Sequence, residues 1–133
     1  MKKLLLIDDS KTQLLSLKIF FSRHDLEVNT AENGIDGFDL LLANPPYIKS
    51  DEIAALQREV HFEPETALDG GKDGLIFYRR IAQLLCETEC ECVAVECGEE
   101  QAEDIKKIFS GMEITKSVKD FNGFERIVIA QNK

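Results

Sequence analysis

The stretch Phe38-Asp39-Leu40-Leu41-Leu42-Ala43-Asn44-Pro45-Pro46-Tyr47 decides the fold that we expect for this chain of 133 residues. Its apolar part is typical of a strand buried on both faces, and it ends at a polar residue followed by two prolines. Those prolines fix φ and disfavour helix before them, so Asn44 is expected to be extended and stiff. Ligands of open α/β sheets lie at the carboxyl ends of the strands. The Asn44 amide and the Tyr47 ring therefore predict a site for a planar amide or an amino-bearing base.

Asn-Pro-Pro-Tyr after an apolar strand resembles the motif of S-adenosylmethionine-dependent amino methyltransferases, and it is shared with DNA adenine methyltransferases. The segments that follow are similar to the protein-glutamine N5-methyltransferases that modify peptide-chain release factors: Phe62-Glu63-Pro64, Ala67-Leu68-Asp69-Gly70-Gly71-Lys72-Asp73-Gly74-Leu75 and Phe77-Tyr78-Arg79-Arg80. The resemblance covers about residues 38–133. It implies that Asn44-Pro45-Pro46-Tyr47 binds the substrate amide, that S-adenosylmethionine is the cofactor and that the partner is the glutamine loop of a release factor.

The first third of the chain has a different resemblance. Leu4 to Ile7 predicts a central parallel strand, Lys11 to about Arg23 an amphipathic helix capped by Ser10, and Leu26 to Ala31 a second strand. With Asp8-Asp9-Ser10 between the first strand and the helix, residues 1–37 resemble a response-regulator receiver domain of the chemotaxis type. That resemblance implies Mg²⁺ binding by Asp8 and Asp9, and two acids at a strand end suit a hard cation.

The two resemblances meet at residues 34–43. A receiver domain would form its second helix there, whereas the methyltransferases would form a strand at Phe38–Ala43. The prolines after the run and the glycines at positions 34 and 37 favour the strand. Only Glu32 to Gly37 would then join two parallel strands, and six extended residues span at most about 20 Å. We therefore expect a short or rearranged connection.

The remaining patterns predict one α/β domain over residues 1–133. Its architecture is a three-layer αβα sandwich with a mainly parallel, doubly wound sheet of about six strands, a hybrid of flavodoxin-like and Rossmann-like methyltransferase folds. The turn dipeptide Asn122-Gly123 indicates that the final strands run antiparallel. The predicted elements are a partly helical segment at 49–59, helices at 75–85 and 99–109, and strands at 91–96, 114–118 and 126–130.

Each of the two segments lacks some of the active-site residues that its resemblance implies. The methyltransferases carry a glycine-rich turn after their first strand, and Asp8 to Thr12 contains no glycine. Of the cofactor ligands that the methyltransferase resemblance implies, the sequence then retains only Glu32, an acid after the second strand that would bind the ribose. A receiver needs an acceptor aspartate at the position of Asn44, and an amide cannot form the acyl phosphate. The sequence therefore predicts a recombined or engineered chimera of residues 1–37 and 38–133, without an intact catalytic residue, native catalysis or a cofactor.

Two alternatives stay open. The first is a residual S-adenosylmethionine-dependent protein-(glutamine-N5) methyltransferase that acts on peptide-chain release factors. The second is a Mg-binding, receiver-like signalling module. Methyl transfer that depends on Asn44 would favour the first, and Mg²⁺-dependent phosphoryl labelling would favour the second.

Composition narrows the classes of partner. The net charge of −9 argues against non-specific nucleic-acid binding, which needs a basic face. No apolar run approaches the roughly 20 residues that span a bilayer, and Leu4 to Ile7 is too short for a signal peptide, so a cytoplasmic protein without a membrane partner is predicted. The four cysteines within positions 86–97 lack metal-site spacing and are predicted to be reduced thiols. An exposed sheet edge would permit a homodimer.

Overall fold

The structure is a computed structural model that describes residues 1–8, 10–30, 38–55 and 69–133. The strand predicted at Phe38–Ala43 is confirmed, with a shift of one or two residues that makes Asn44 its last member. The other predicted helices and strands that lie within these ranges are also found, with ends displaced by up to a few residues. In chain order the elements are β1 (Lys2–Asp8), α1 (Lys11–Phe21), β2 (Leu26–Thr30), β3 (Leu40–Asn44), a 3₁₀ helix (Ser50–Ala55), α2 (Ile76–Cys86), β4 (Cys92–Glu96), α3 (Ala102–Ile108), β5 (Glu113–Lys119) and β6 (Glu125–Gln131).

The strands form one six-stranded sheet in the order β2-β1-β3-β4-β6-β5. Strands β1 to β4 pair in parallel, and β6 runs antiparallel to both of its neighbours, β4 and β5. This confirms the predicted mainly parallel sheet with an antiparallel end. Because β1 lies between β2 and β3, the chain passes from one side of β1 to the other. The connection predicted at Glu32 to Gly37 lies outside the described residues.

The helices cover both faces of the sheet, as predicted, because successive side chains of a strand point to opposite faces and the central strands are apolar on both. Leu4 and Leu6 face α1 and pack with its Leu14. Leu5 points to the opposite face, where α2 and α3 cover a larger core. Full burial of an aliphatic side chain stabilises the fold by about 1.5–3 kcal/mol, so this second layer supplies most of the stability. Its central members are Leu41, Tyr78, Ile81, Val93, Val95, Ile105 and Val128.

The carboxyl ends of β1, β3 and β4 meet at one edge of the sheet. Their last residues are Asp8, Asn44 and Glu96, and Asp8 lies directly opposite Asn44 in the register. Side chains two positions apart in a strand point to the same face. Asp8 and Asn44 lie two positions after Leu6 and Leu42, which pack toward α1, and Glu96 lies two positions after Ala94, the partner of Leu42. All three therefore point toward the α1 face. The fold therefore places two carboxylates and one amide in a row.

Among the residues that the structure describes, no helix combines the length and the apolar character needed to cross a bilayer.

Candidate functional site

The side chains of Asp8 and Asn44 contact each other at the carboxyl edge. Asn44 Nδ2 donates to Asp8 Oδ2 over 3.4 Å, and Asp8 Oδ1 accepts from the backbone N–H of Ser10 at 2.8 Å. Ser10 also caps α1, since its Oγ accepts from the Gln13 N–H at 3.2 Å. The long Asn44 bond is weak, because N–H···O bonds in proteins centre near 2.9 Å. Asp8 thus joins β1 to α1 and leaves the Asn44 amide able to exchange partners.

A cavity of about 430 Å³ opens beside this pair on the α1 side of the sheet. Its floor is apolar and comes from Leu6, Leu17 and Leu42, while Asp8, Asn44 and Glu96 supply polar groups. Small-molecule sites have volumes of about 300–1,000 Å³ and combine apolar walls with a few polar groups, so this cavity has the size and character of one. The complete lining is Leu6, Ile7, Asp8, Thr12, Gln13, Ser16, Leu17, Leu42, Ala43, Asn44, Glu96 and Ile127.

A smaller cavity, of about 190 Å³, reaches Asn44 from the α2 side. Pro45 and Pro46 form one wall, and Phe77 and Arg80 of α2 form another. The Arg80 guanidinium lies over the Phe77 ring, 5.5 Å from its centroid. Asn44 therefore lies between two cavities, which is a suitable position for an amide that must meet ligands arriving from opposite sides of the sheet.

The loop after β3 is held by hydrogen bonds from two other segments. Gln101 Nε2, just before α3, donates to the Tyr47 carbonyl at 2.8 Å, while Gln101 Oε1 accepts from the Gly98 N–H at 2.9 Å. The Gly70 N–H donates to the Ile48 carbonyl at 2.7 Å, within a parallel bridge between Ile48 and Asp69. These bonds fix the backbone that follows Asn44, so the amide is presented from a rigid segment.

Glycines pack against the Tyr47 backbone where any side chain would collide. A Cβ on Gly70 would lie 2.7 Å from Tyr47 Cα, and a Cβ on Gly74 would lie 2.5 Å from the Tyr47 oxygen. Gly74 also has a φ of +78°, which favours glycine. The methyltransferase resemblance included this glycine segment but predicted no contact between it and Tyr47. The order Asn-Pro-Pro-Tyr followed by Gly-Gly-Lys-Asp-Gly is the signal that could have suggested contact between them.

Glu96 was not among the predicted site residues, although it ends the strand next to Asn44. Burial raises the pKa of its carboxyl group, the Arg126 guanidinium opposes that shift, and the Asp8 carboxylate adds to it. Its backbone carbonyl accepts a 2.6 Å hydrogen bond from the hydroxyl of the buried Tyr78. A polar residue at the end of a strand adjacent to β3 is the sequence signal that could have found it.

The remaining predicted ligands are only partly within the structure. Asp9 and Glu32 lie outside the described residues, so the predicted Mg²⁺ pair and the predicted ribose acid stay predictions. Within the described ranges, no group of three or more His, Cys, Asp or Glu side chains is arranged to hold a metal ion. The four cysteines are free thiols, and two of them, Cys90 and Cys97, are buried.

Comparison with known proteins finds relatives whose name agrees with the Asn-Pro-Pro-Tyr resemblance. No protein-family model matches the chain. The release factor glutamine methyltransferase of Thermodesulfovibrio yellowstonii is 40% identical over 99 residues, which is 71% of this chain and 36% of that protein. That of Geobacter sulfurreducens is 43% identical over 100 residues (71% and 35%), and that of Clostridium acetobutylicum 38% over 111 residues (80% and 39%).

This chain spans between 28% and 42% of the length of the curated relatives that it matches. The matches support the methyltransferase part of the predicted resemblance, and nothing in them shows a receiver domain or a chimera. The larger part of this chain is thus similar to a part of the release factor glutamine methyltransferases.

Proposed function

We propose that this chain carries the amide-binding part of an S-adenosylmethionine-dependent protein-(glutamine-N5) methyltransferase whose substrate is a peptide-chain release factor. The relatives are named release factor glutamine methyltransferases, and they support this proposal better than the inactive chimera that the sequence patterns favoured. The observation that carries the proposal is the position of Asn44, which ends β3 between two cavities with its amide beside Asp8. The common sheet supports a single α/β domain over residues 1–133.

Asn44 would recognise the substrate amide by pairing amide with amide. Its Oδ1 can accept an N–H of the glutamine side chain, while its Nδ2 remains within reach of Asp8. Fixing the glutamine nitrogen in one orientation removes much of the entropic barrier to a reaction between two molecules. The hydrogen bonds that hold Tyr47 supply the necessary rigidity.

Methylation of an amide nitrogen forms a nitrogen–carbon bond and releases one N–H proton. S-adenosylmethionine would supply the methyl group: its methyl–sulfur bond would break, and the sulfur would leave as a neutral thioether with the bonding electron pair. The proton requires an acceptor, and the carboxylates of Asp8 and Glu96 border the same cavity as Asn44. A carboxylate with a raised pKa binds a proton more readily, and burial raises the pKa of Glu96.

The larger cavity fits a cationic methyl donor in volume and in charge, because it is about 430 Å³ and two carboxylates border it. The segment after β1 contains no glycine, unlike the glycine-rich turn of the methyltransferases. The Ser10 N–H already donates to Asp8, and α1 begins at the next residue. Side chains of Asp8, Thr12 and Gln13, rather than a bare backbone, would therefore hold the donor. Glu32 remains the proposed ribose ligand.

The test has a binding arm and a transfer arm. We expect S-adenosylmethionine to bind in isothermal titration and the full chain to methylate a glutamine of an intact release factor, read by mass spectrometry. Asn44→Ala should lower transfer by about 10²-fold or more, as loss of an orienting hydrogen-bonding group typically does. Asn132→Ala, at an exposed position beyond β6, is the matched control and should leave transfer unchanged. Absence of transfer by the wild-type chain at saturating donor would contradict the proposal.

A further inference from the structure

The turn between β5 and β6 presents an apolar patch formed by Val118, Phe121 and Phe124, called here the hairpin patch. Phe121 exposes 112% of its reference area, Phe124 exposes 39% and Val118 exposes 36%. Single exposed apolar residues are ordinary, but several of them in one hairpin are typical of surfaces that bind a partner. Burial of a phenylalanine side chain is favourable, so a partner that covered this patch would gain affinity.

The turn is held rigidly by Asp120. Its Oδ1 accepts from the N–H groups of Asn122 at 2.9 Å and Phe124 at 3.1 Å, and its own N–H donates to the Phe124 carbonyl at 2.9 Å. Arg126 Nε lies 3.4 Å from Asp120 Oδ2. Gly123 adopts a φ of +86°, which closes the turn. A preordered turn loses little entropy when a partner binds, so Phe121 is suited to act as an anchor.

The hairpin patch lies at the same edge of the sheet as Asn44. Ile127 of β6 pairs with Glu96 on one side and with Val118 on the other. Neighbouring strands are about 4.8 Å apart, so three strand spacings place Val118 about 14 Å from Asn44. Ile127 also lines the larger cavity, so Val118 is the cross-strand neighbour of a residue in the cavity wall.

We propose that the hairpin patch binds an apolar surface of the protein substrate on the same molecule as the glutamine that reaches Asn44. This inference rests on the proposed function. A distance of about 14 Å exceeds the size of a single glutamine, and at about 3.3 Å per extended residue an occupant of both places needs at least about four residues. The patch would therefore select an intact protein over a free amide. An anionic lipid surface is a poorer occupant, because the chain carries a net charge of −9.

The test compares two probes, an intact bacterial release factor and N-acetylglutamine amide. Phe121→Ser should weaken binding of the release factor about tenfold or more in fluorescence anisotropy, as loss of an interface anchor does. The same variant should leave the affinity for N-acetylglutamine amide unchanged. Phe20→Ser is the matched control, since Phe20 is 54% exposed and lies at the end of α1, which is at the opposite edge of the sheet. A melting curve checks that each variant is folded, and Phe124→Ser provides a second substitution in the patch.

The possible results distinguish a failure of this inference from a failure of the proposed methyltransferase function. Equal affinity of wild type and Phe121→Ser for the release factor, with methyl transfer intact, overturns the inference alone. No affinity of the wild type for a release factor overturns both. If sedimentation shows a dimer that Phe121→Ser converts to monomer, the patch is occupied by a second copy of this chain, and the inference is again wrong.

Discussion

The side-chain amide of Gln101 donates to the carbonyl of Tyr47 at 2.8 Å and lies 3.4 Å from the carbonyl of Gly74. Its oxygen accepts from the N–H of Gly98 at 2.9 Å. One side chain thus joins the loop after β3, the glycine loop before α2 and the turn after β4. Because Asn44 precedes Tyr47 by only three residues, the direction of its amide depends on a residue more than fifty positions away in the sequence.

Replacement of Gln101 should therefore loosen the site as well as the fold. We expect Gln101→Ala to lower the free energy of unfolding by about 1–3 kcal/mol, because it removes partly buried hydrogen bonds to the Tyr47 carbonyl and from the Gly98 N–H. Urea titration measures this. Gln83→Ala, at an exposed position in α2, is the control and should change stability by less than about 0.5 kcal/mol. Equal stability of the two variants would show that the Gln101 bonds are not important.

Three glycine substitutions should form a graded series. Gly74→Ala combines a φ of +78° with a Cβ 2.5 Å from the Tyr47 oxygen, so we expect the largest loss of stability, several kcal/mol or failure to fold. Gly123→Ala has a φ of +86° without a clash and should lose about 1–2 kcal/mol. Gly111→Ala meets nothing within 4 Å and should be neutral or stabilising by up to about 1 kcal/mol. Thermal unfolding ranks the three, and any other order would be inconsistent with this packing.

The raised pKa of Glu96 predicts a pH-dependent stability. A folded-state pKa above the ordinary value of 4.5 means that the native state binds this proton more tightly than the unfolded state does. The favourable contribution is then complete below that ordinary value and is lost as pH rises through the folded-state pKa. Glu96→Gln, which stays neutral, should therefore gain stability relative to wild type as pH rises from about 4 to about 7. Urea midpoints at both pH values measure this, and a variant that loses stability relative to wild type over that range would refute it.

The cysteines should differ sharply in reactivity. Burial raises the pKa of Cys97 and of Cys90 to about 11, whereas Cys86 is exposed. At about pH 8 a thiol with that pKa is thiolate in only about one molecule in a thousand, and the thiolate is the reactive form. We expect iodoacetamide to modify Cys86 first and the two buried thiols only after unfolding. Peptide mass spectrometry identifies the labelled cysteines. Labelling of Cys97 in the folded protein as early as that of Cys86 would contradict this placement.

Much of the fold could be predicted from local patterns. The apolar run that ends at Asn44-Pro45-Pro46 predicted a strand, and β3 is that strand, because two prolines and a buried aliphatic sequence leave no stable alternative. The antiparallel end of the sheet followed from Asn122-Gly123 for a similar reason. Half of the candidate site was predictable in the same way, since Asp8 and Asn44 both end strands of a parallel sheet.

The sequence by itself determined the elements of this protein and the polar residues at their ends, because backbone sterics and the two-residue alternation of strands act over a few positions. Only the tertiary structure decided which of those ends lie together. It placed Glu96 beside Asn44, joined Gln101 to Tyr47 and brought the β5–β6 turn to the same edge. Those contacts join residues far apart in the chain, and strand order and register, which no local pattern encodes, fix them.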